Sequence, residues 1–197
     1  IGATALIELK HSLSETAKSR NNLVLGKWEG TNPSASVKDR IVAFMMDAAE
    51  EAGEIHPGDT LIEASSGNTG IALAMQAAFR GYRCILVMPE NTDGFKQQSM
   101  AVYGARLILT PRSGGIHYAR DLALQMAAEK KGFMLDQFSN PANPLAHYKT
   151  TGPEIWTATK GKVTHFICPI GTSGTITGVS RYLKERNKKI AVIGVEP

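Results

Sequence analysis

The chain reads as an α/β protein built on a mostly parallel sheet with helices on both faces. Three observations point there. Short apolar strands alternate with amphipathic helical runs along most of the 197 residues, the pattern of strand–helix–strand units. The strands are continuously apolar rather than alternating, as strands buried on both faces are. Glycine-bearing loops carry each strand into its helix.

The elements run in order along the chain. "NPSASVKDR" (32–40) leads into "IVAFMMDAAEEAG", an apolar-periodic run that predicts a helix. "TLIEA" (60–64) is a strand, followed by "SSGNTG" and the helix "IALAMQAAFRG", with Gly81 as its C-terminal cap. "YRCILVM" (82–88) is the next strand. After "PENTDG" a helix runs through "KQQSMAVYG". "RLILT" (106–110) precedes a helical pattern over 116–132, and "FMLDQ" (133–137) is again a strand. "FSNPANPLAHYKTTGP" (138–153) is rich in Pro and Asn, the best place for a domain crossing, and leads to a helix around 146–160. "VTHFICP" (163–169), "GTSGTITG", another helix and "KIAVIGVEP" complete the chain.

Composition narrows the function. With 43% hydrophobic and 20% charged residues the chain is globular. No apolar run approaches the ~20 residues that span a bilayer, so no membrane role is expected. A net charge of +4 is small, and "EKKG" (129–132) and "ERNKK" (185–189) sit where helix ends favour cations, so nucleic acid is not the expected partner. Cys84 and Cys168 lie in apolar strands and read as buried thiols of a cytoplasmic protein. The five histidines form no HxxxH or HExxH pair, so no metal site is expected.

Three features carry chemistry. Ligands of open parallel sheets bind where strands run into helix N-termini. There "SSGNTG" (65–70) offers two hydroxyls, an amide and small residues, a cradle for a carboxylate or phosphate. "GTSGTITG" (171–178) has the same character, with donors at Thr172, Ser173 and Thr175 and close approach at Gly171 and Gly174. Either loop alone is equally a tight turn with an N-cap. Neither the GxxxxGK[ST] nor the GxGxxG pattern is present. The third feature is Lys38, in or just before a first helical turn. A cation there is disfavoured by a few tenths up to ~1 kcal/mol, which makes the free amine more available for imine formation. Lys38 alone reads as a solvated lysine. An imine-forming lysine with two anion cradles, however, matches what pyridoxal phosphate and an amino-acid substrate require.

"EGTNPSASVKDR", "EASSGNTGIALA", "DQFSNPANPLAHYKTTGPEIW" and "GTSGTITGVSRYLKE" together resemble the cysteine synthase (O-acetylserine sulfhydrylase) family, nearer its B branch, over essentially the whole chain. The resemblance implies the fold-type II, tryptophan synthase β-like architecture of two open, mostly parallel twisted sheets flanked by helices. It implies a smaller domain over 33–142, carrying the lysine and the carboxylate loop, and a larger one from 1–32 plus 143–197. It further implies pyridoxal 5'-phosphate as cofactor and a homodimer. Lys38 would carry the internal Schiff base, Asn68 would bond the ring hydroxyl, and Gly171, Thr172, Ser173, Gly174 and Thr175 would hold the phosphate. Ser65, Ser66, Gly67 and Thr69 would grip the substrate carboxylate, helped by Gln137. The implied activity is β-replacement, making L-cysteine from O-acetyl-L-serine and sulfide or thiosulfate. Cystathionine β-synthase is a near neighbour, but no haem-ligating Cys/His segment precedes the lysine.

The chain also departs from the family. "GATAL" (2–6) stands where "GNTPL" is usual, and "TDGFKQQ" (92–98) replaces the Ser-x-Glu-Arg stretch. Family members are about half as long again, and the serine that faces the pyridine nitrogen in the family lies beyond "VIGVEP". The larger domain is therefore expected to be incomplete at its C-terminal end, with one sheet edge unpaired, either because the chain is a fragment or because the remaining strands come from elsewhere. These departures motivate a second reading, a non-catalytic relative that binds an amino acid or a partner peptide.

Overall fold

The computed structural model describes residues 1–12 and 14–196; Pro197, the last residue of the expected C-terminal strand run, lies outside them. In chain order the strands are β1 (Leu6–Glu8), β2 (Leu25–Lys27), β3 (Thr60–Ala64), β4 (Arg83–Pro89), β5 (Arg106–Thr110), β6 (Phe133–Met134), β7 (His165–Pro169) and β8 (Ala191–Val195). The helices are α1 (Glu15–Ser19), α2 (Lys38–Glu51), α3 (Asn68–Arg80), α4 (Gly94–Val102), α5 (Gly115–Ala128), α6 (Ala142–Ala146), α7 (Gly152–Ala158) and α8 (Gly174–Arg186). They fall into two compact units, Lys38–Asn143 and Ile1–Val37 with Pro144–Pro197.

The unit Lys38–Asn143 holds a four-stranded sheet in the order β5-β4-β3-β6, every neighbour parallel. Side chains alternate across it. Ile62, Ala64 and Val87 face α5, where Ala119, Ala123 and Met126 close a core with Ile85 and Ile108. The opposite face, carrying Leu61, Glu63 and Leu86, is covered by α3, against which α2 packs. Both faces of β3 are thus buried, although Glu63 interrupts its apolar run. Gly81 ends α3 in the left-handed region at φ 80°, the cap expected from the sequence.

Two boundaries move for identifiable reasons. β6 keeps only Phe133–Met134 of the expected 133–137, because Asp136 turns out of the ladder at φ 47°. The helix expected near 146 begins at Ala142, whose amide is capped by Asn140 Oδ1 at 2.9 Å. Pro144 is tolerated so near the start, where its missing N–H would have no helical partner.

The other unit pairs β1 with β2 antiparallel and β7 with β8 parallel. The antiparallel pair was not legible in the sequence. A helical run passes from α6 through a π-helical turn, His147–Thr151, into α7. It packs on α8 through Ile155, Val179, Leu183 and Ile190. Ile167, Ile193 and Val195 share the other face of the β7–β8 pair and are exposed.

Candidate active site

Lys38 is the first residue of α2 and is half-buried. The turn that presents it is tied to a neighbouring helix. Gln76 of α3 donates through Nε2 to the Asp39 carbonyl at 3.0 Å, which ties the start of α2 to α3. Asp39 and Arg40 are fully buried beside it. The backbone that carries Lys38 is therefore fixed, while its own side chain stays partly accessible.

The loop between β3 and α3 is organised by Ser65. Its Oγ accepts the amides of Gly67 at 3.3 Å and Gly70 at 3.0 Å, capping the start of α3. Ser65 is buried, Ser66 and Gly67 are half-buried, and Asn68 is exposed at the helix start. Thr69 is buried and donates from Oγ1 to Gln137 Oε1 at 2.8 Å. The structure thus brings Ser65, Ser66, Gly67, Asn68, Thr69 and Gln137 together at the carboxyl end of β3. Ser65 has spent both acceptor positions on the loop itself and keeps its hydroxyl proton to donate.

In the other unit the loop after β7 opens α8 at Gly174. Ser173 sits at φ 65°, a left-handed conformation uncommon for serine, and its hydroxyl makes no capping bond to its own helix. Thr175 Oγ1 lies 3.1 Å from His147 Nε2, and His147 Nδ1 lies 2.9 Å from Thr151 Oγ1. His147 is fully buried. Gly178, one turn further along α8, is required by close approach: a Cβ there would stand 2.1 Å from the Pro144 carbonyl and 2.7 Å from His147 Cβ. Sequence reading missed His147, since a lone histidine in a helical run carries no signal. The hydroxyls four and twenty-eight positions away find it only through the fold.

The profile of one family, described as pyridoxal-phosphate dependent enzyme, matches residues 1–197. The chain belongs to this pyridoxal-phosphate dependent enzyme family. It is 52% identical over 197 residues to cysteine synthase B of Pseudomonas aeruginosa and to cysteine synthase B of Escherichia coli, covering 100% of this chain and 64% of each relative. The chain thus spans a little under two thirds of these relatives' length. A crystal structure of O-ureido-L-serine synthase superposes with a TM-score of 0.94 at 37% identity, covering 100% of this chain and 61% of that one.

The residues present fit the family's cofactor. An amine at Lys38 suits an aldehyde, and an amide at Asn68 suits a ring hydroxyl. The hydroxyls of Thr172, Ser173 and Thr175 at a helix start suit a phosphate. A Cβ built on Gly67 or on Gly171 meets no atom within 4 Å, so both loops leave open space against bare backbone. No group of His, Cys, Asp or Glu among the described residues is placed to hold a metal ion. No described helix is long and apolar enough to cross a membrane.

Both departures from the family pattern are absorbed locally. In "TDGFKQQ", Asp93 caps α4 by accepting the Lys96 amide at 3.2 Å, and Gln97 Nε2 donates to the Thr92 carbonyl at 2.7 Å. In "GATAL", the Gly2 amide donates to Asn32 Oδ1 and the Ala3 amide to Glu154 Oε1, each at 2.9 Å. Lys27 Nζ binds Glu154 Oε2 at 2.6 Å, so the segment is anchored by side chains of its own unit.

Proposed function

We propose that the full-length protein catalyses β-replacement, making L-cysteine from O-acetyl-L-serine with sulfide or thiosulfate as sulfur donor. The observation that carries this reading is the alignment of all 197 residues to 64% of two cysteine synthases B at 52% identity. The site residues support it. Bound pyridoxal phosphate supplies an aldehyde that captures amines and a ring that withdraws electrons from the substrate's α-carbon. Lys38 would hold the cofactor at rest, give way to the incoming amino group, and take the α-proton onto its freed Nζ. Ser65, Ser66, Gly67 and Thr69, with Gln137 behind Thr69, would bind the substrate carboxylate and orient the Cα–H toward that amine. Asn68 would bond the ring hydroxyl, and Gly171 through Thr175 would hold the phosphate.

The same reading takes the unit Lys38–Asn143 for the lysine-bearing domain expected over 33–142, and the unit Ile1–Val37 with Pro144–Pro197 for part of the domain that is the larger one in the family. It places the protein in the cytoplasm, supported by two buried cysteine thiols, Cys84 and Cys168. It also makes the protein a homodimer, supported by exposed apolar residues such as Leu23, Val24 and Trp28. The test is direct. The full-length, cofactor-loaded protein, given O-acetyl-L-serine and sulfide, should release L-cysteine and acetate. Amino-acid binding without any acetate release would contradict the enzyme and favour a binding relative.

A further inference from the structure

We propose that Glu63 is a positioning residue for the substrate carboxylate, because its side chain fixes the turn that presents Gln137 to Thr69. This rests on the reading of residues 65–69 as the carboxylate loop. Glu63 lies on β3, two residues before Ser65, and is 1% exposed. Its Oε2 accepts the amide of Asp136 at 3.0 Å, a bond between residues 73 apart. The reason is visible in the sheet. β6 pairs with β3 only at Leu61–Phe133 and Ile62–Met134, so beyond Met134 the backbone has no ladder partner. The half-buried Asp136 amide, left without a strand partner, needs another acceptor, and the glutamate supplies it by side chain.

The turn beyond Asp136 depends on that bond. Asp136 stands at φ 47°, which reverses the chain direction and costs a non-glycine residue on the order of 1–2 kcal/mol unless its surroundings fix it. Its carbonyl accepts the amides of Ser139 at 3.1 Å and Asn140 at 2.9 Å, closing the turn on the other side. Arg120 clamps its carboxylate at 3.2 and 3.3 Å. Gln137 is the next residue, and its Oε1 receives the Thr69 hydroxyl. The turn is therefore gripped twice, by Glu63 of β3 before the loop and by Thr69 of α3 after it. The loop residues Ser65–Gly67 are strung between the two grips.

The bond uses Glu63 for its reach rather than its charge. Burial, reinforced by the Asp136 carboxylate, pushes the Glu63 carboxyl up to about 8, so at neutral pH it is mostly uncharged. Glutamine has the same reach and offers an amide oxygen to Asp136. Aspartate keeps the acid but falls one methylene short.

Three variants of the full-length, cofactor-loaded protein separate these properties. Glu63→Gln should keep the affinity for O-acetyl-L-serine within about three-fold, while Glu63→Asp and Glu63→Leu should each weaken it by roughly ten-fold, the size of a lost hydrogen bond. The loss should appear in KM and in spectral titration with amino acid, with kcat changed far less. Hydrogen exchange of the peptide spanning 133–140 should quicken in the Asp and Leu variants and stay slow in Gln. Should Glu63→Leu not fold, the Gln and Asp pair decides alone. Glu63→Asp with wild-type affinity and exchange would overturn the proposal, as would Glu63→Gln as weak as Glu63→Asp. Thr69→Val serves as the control on the underlying reading. If it weakens amino-acid binding while the Glu63 variants do not, only the positioning role falls; if it has no effect, both fall.

Discussion

Thr69 Oγ1 donates to Gln137 Oε1 across 2.8 Å, joining two buried residues 68 positions apart at the carboxyl end of one strand. Thr69 and its exposed neighbour Asn68 should therefore differ in kind. Thr69→Val should weaken amino-acid binding by roughly 1–3 kcal/mol, the worth of a hydrogen bond to a charged group, and leave the absorbance of the cofactor-loaded protein unchanged. Asn68→Ala should alter that absorbance before any amino acid is added. Equal effects of the two on the amino-acid-free spectrum would contradict this division.

Stability should fall as pH rises through the range set by Glu63. Its carboxyl moves from an ordinary 4.5 to about 8 through burial first and the Asp136 carboxylate second, partly offset by hydrogen bonds from the Asp136 and Ala64 amides and by Arg120; Cys84 is the other titratable group it faces. The folded state therefore holds this proton more tightly than the unfolded chain. The contribution is complete below pH 4.5 and is lost as pH climbs through about 8. Urea unfolding of Glu63→Gln and the parent should show the parent losing ground across that window, at up to about 1.4 kcal/mol per pH unit. A constant difference between the two would contradict the shifted carboxyl.

Ala3 occupies the left-handed region at φ 51°, where a Cβ is unfavourable. Its amide is held by Glu154, so the conformation is fixed from outside. Asparagine tolerates this region, and Ala3→Asn should raise unfolding stability by about 0.5–1 kcal/mol. A lower midpoint in denaturant would show that the segment does not hold this conformation.

Cys84 should be inert in the folded protein. Burial, with the Glu63 carboxyl beside it, pushes its thiol up to about 12, and the thiolate is the reactive form. Alkylation at pH 8, followed by peptide mapping, should be slower than in the unfolded chain by at least about 100-fold. Rapid labelling of Cys84 under native conditions would place it on an accessible surface.

Local pattern was legible in the sequence where it determined structure. The bounds of β3 and the left-handed cap at Gly81 follow from residue order, whereas α3 and α8 begin at Asn68 and Gly174, inside the runs 65–70 and 171–178 read as loops. Long-range substitution of one hydrogen bond for another was not legible. β6 stops where Asp136 turns away at φ 47°, and Glu63, 73 residues away, accepts its amide in place of a strand partner. The partners of His147 were hidden for the same reason. β1 and β2, three residues each, are too short to show a period.

The account turns on Lys38 as the amine that engages pyridoxal phosphate. Borohydride reduction of the full-length, cofactor-loaded protein, followed by peptide mapping, tests this most directly. The pyridoxyl mass should lie on the peptide containing Lys38, and Lys38→Ala should fold, since the residue is a half-buried helix start, yet take no label. Label on Lys27 or Lys149, or undiminished label in Lys38→Ala, would contradict it.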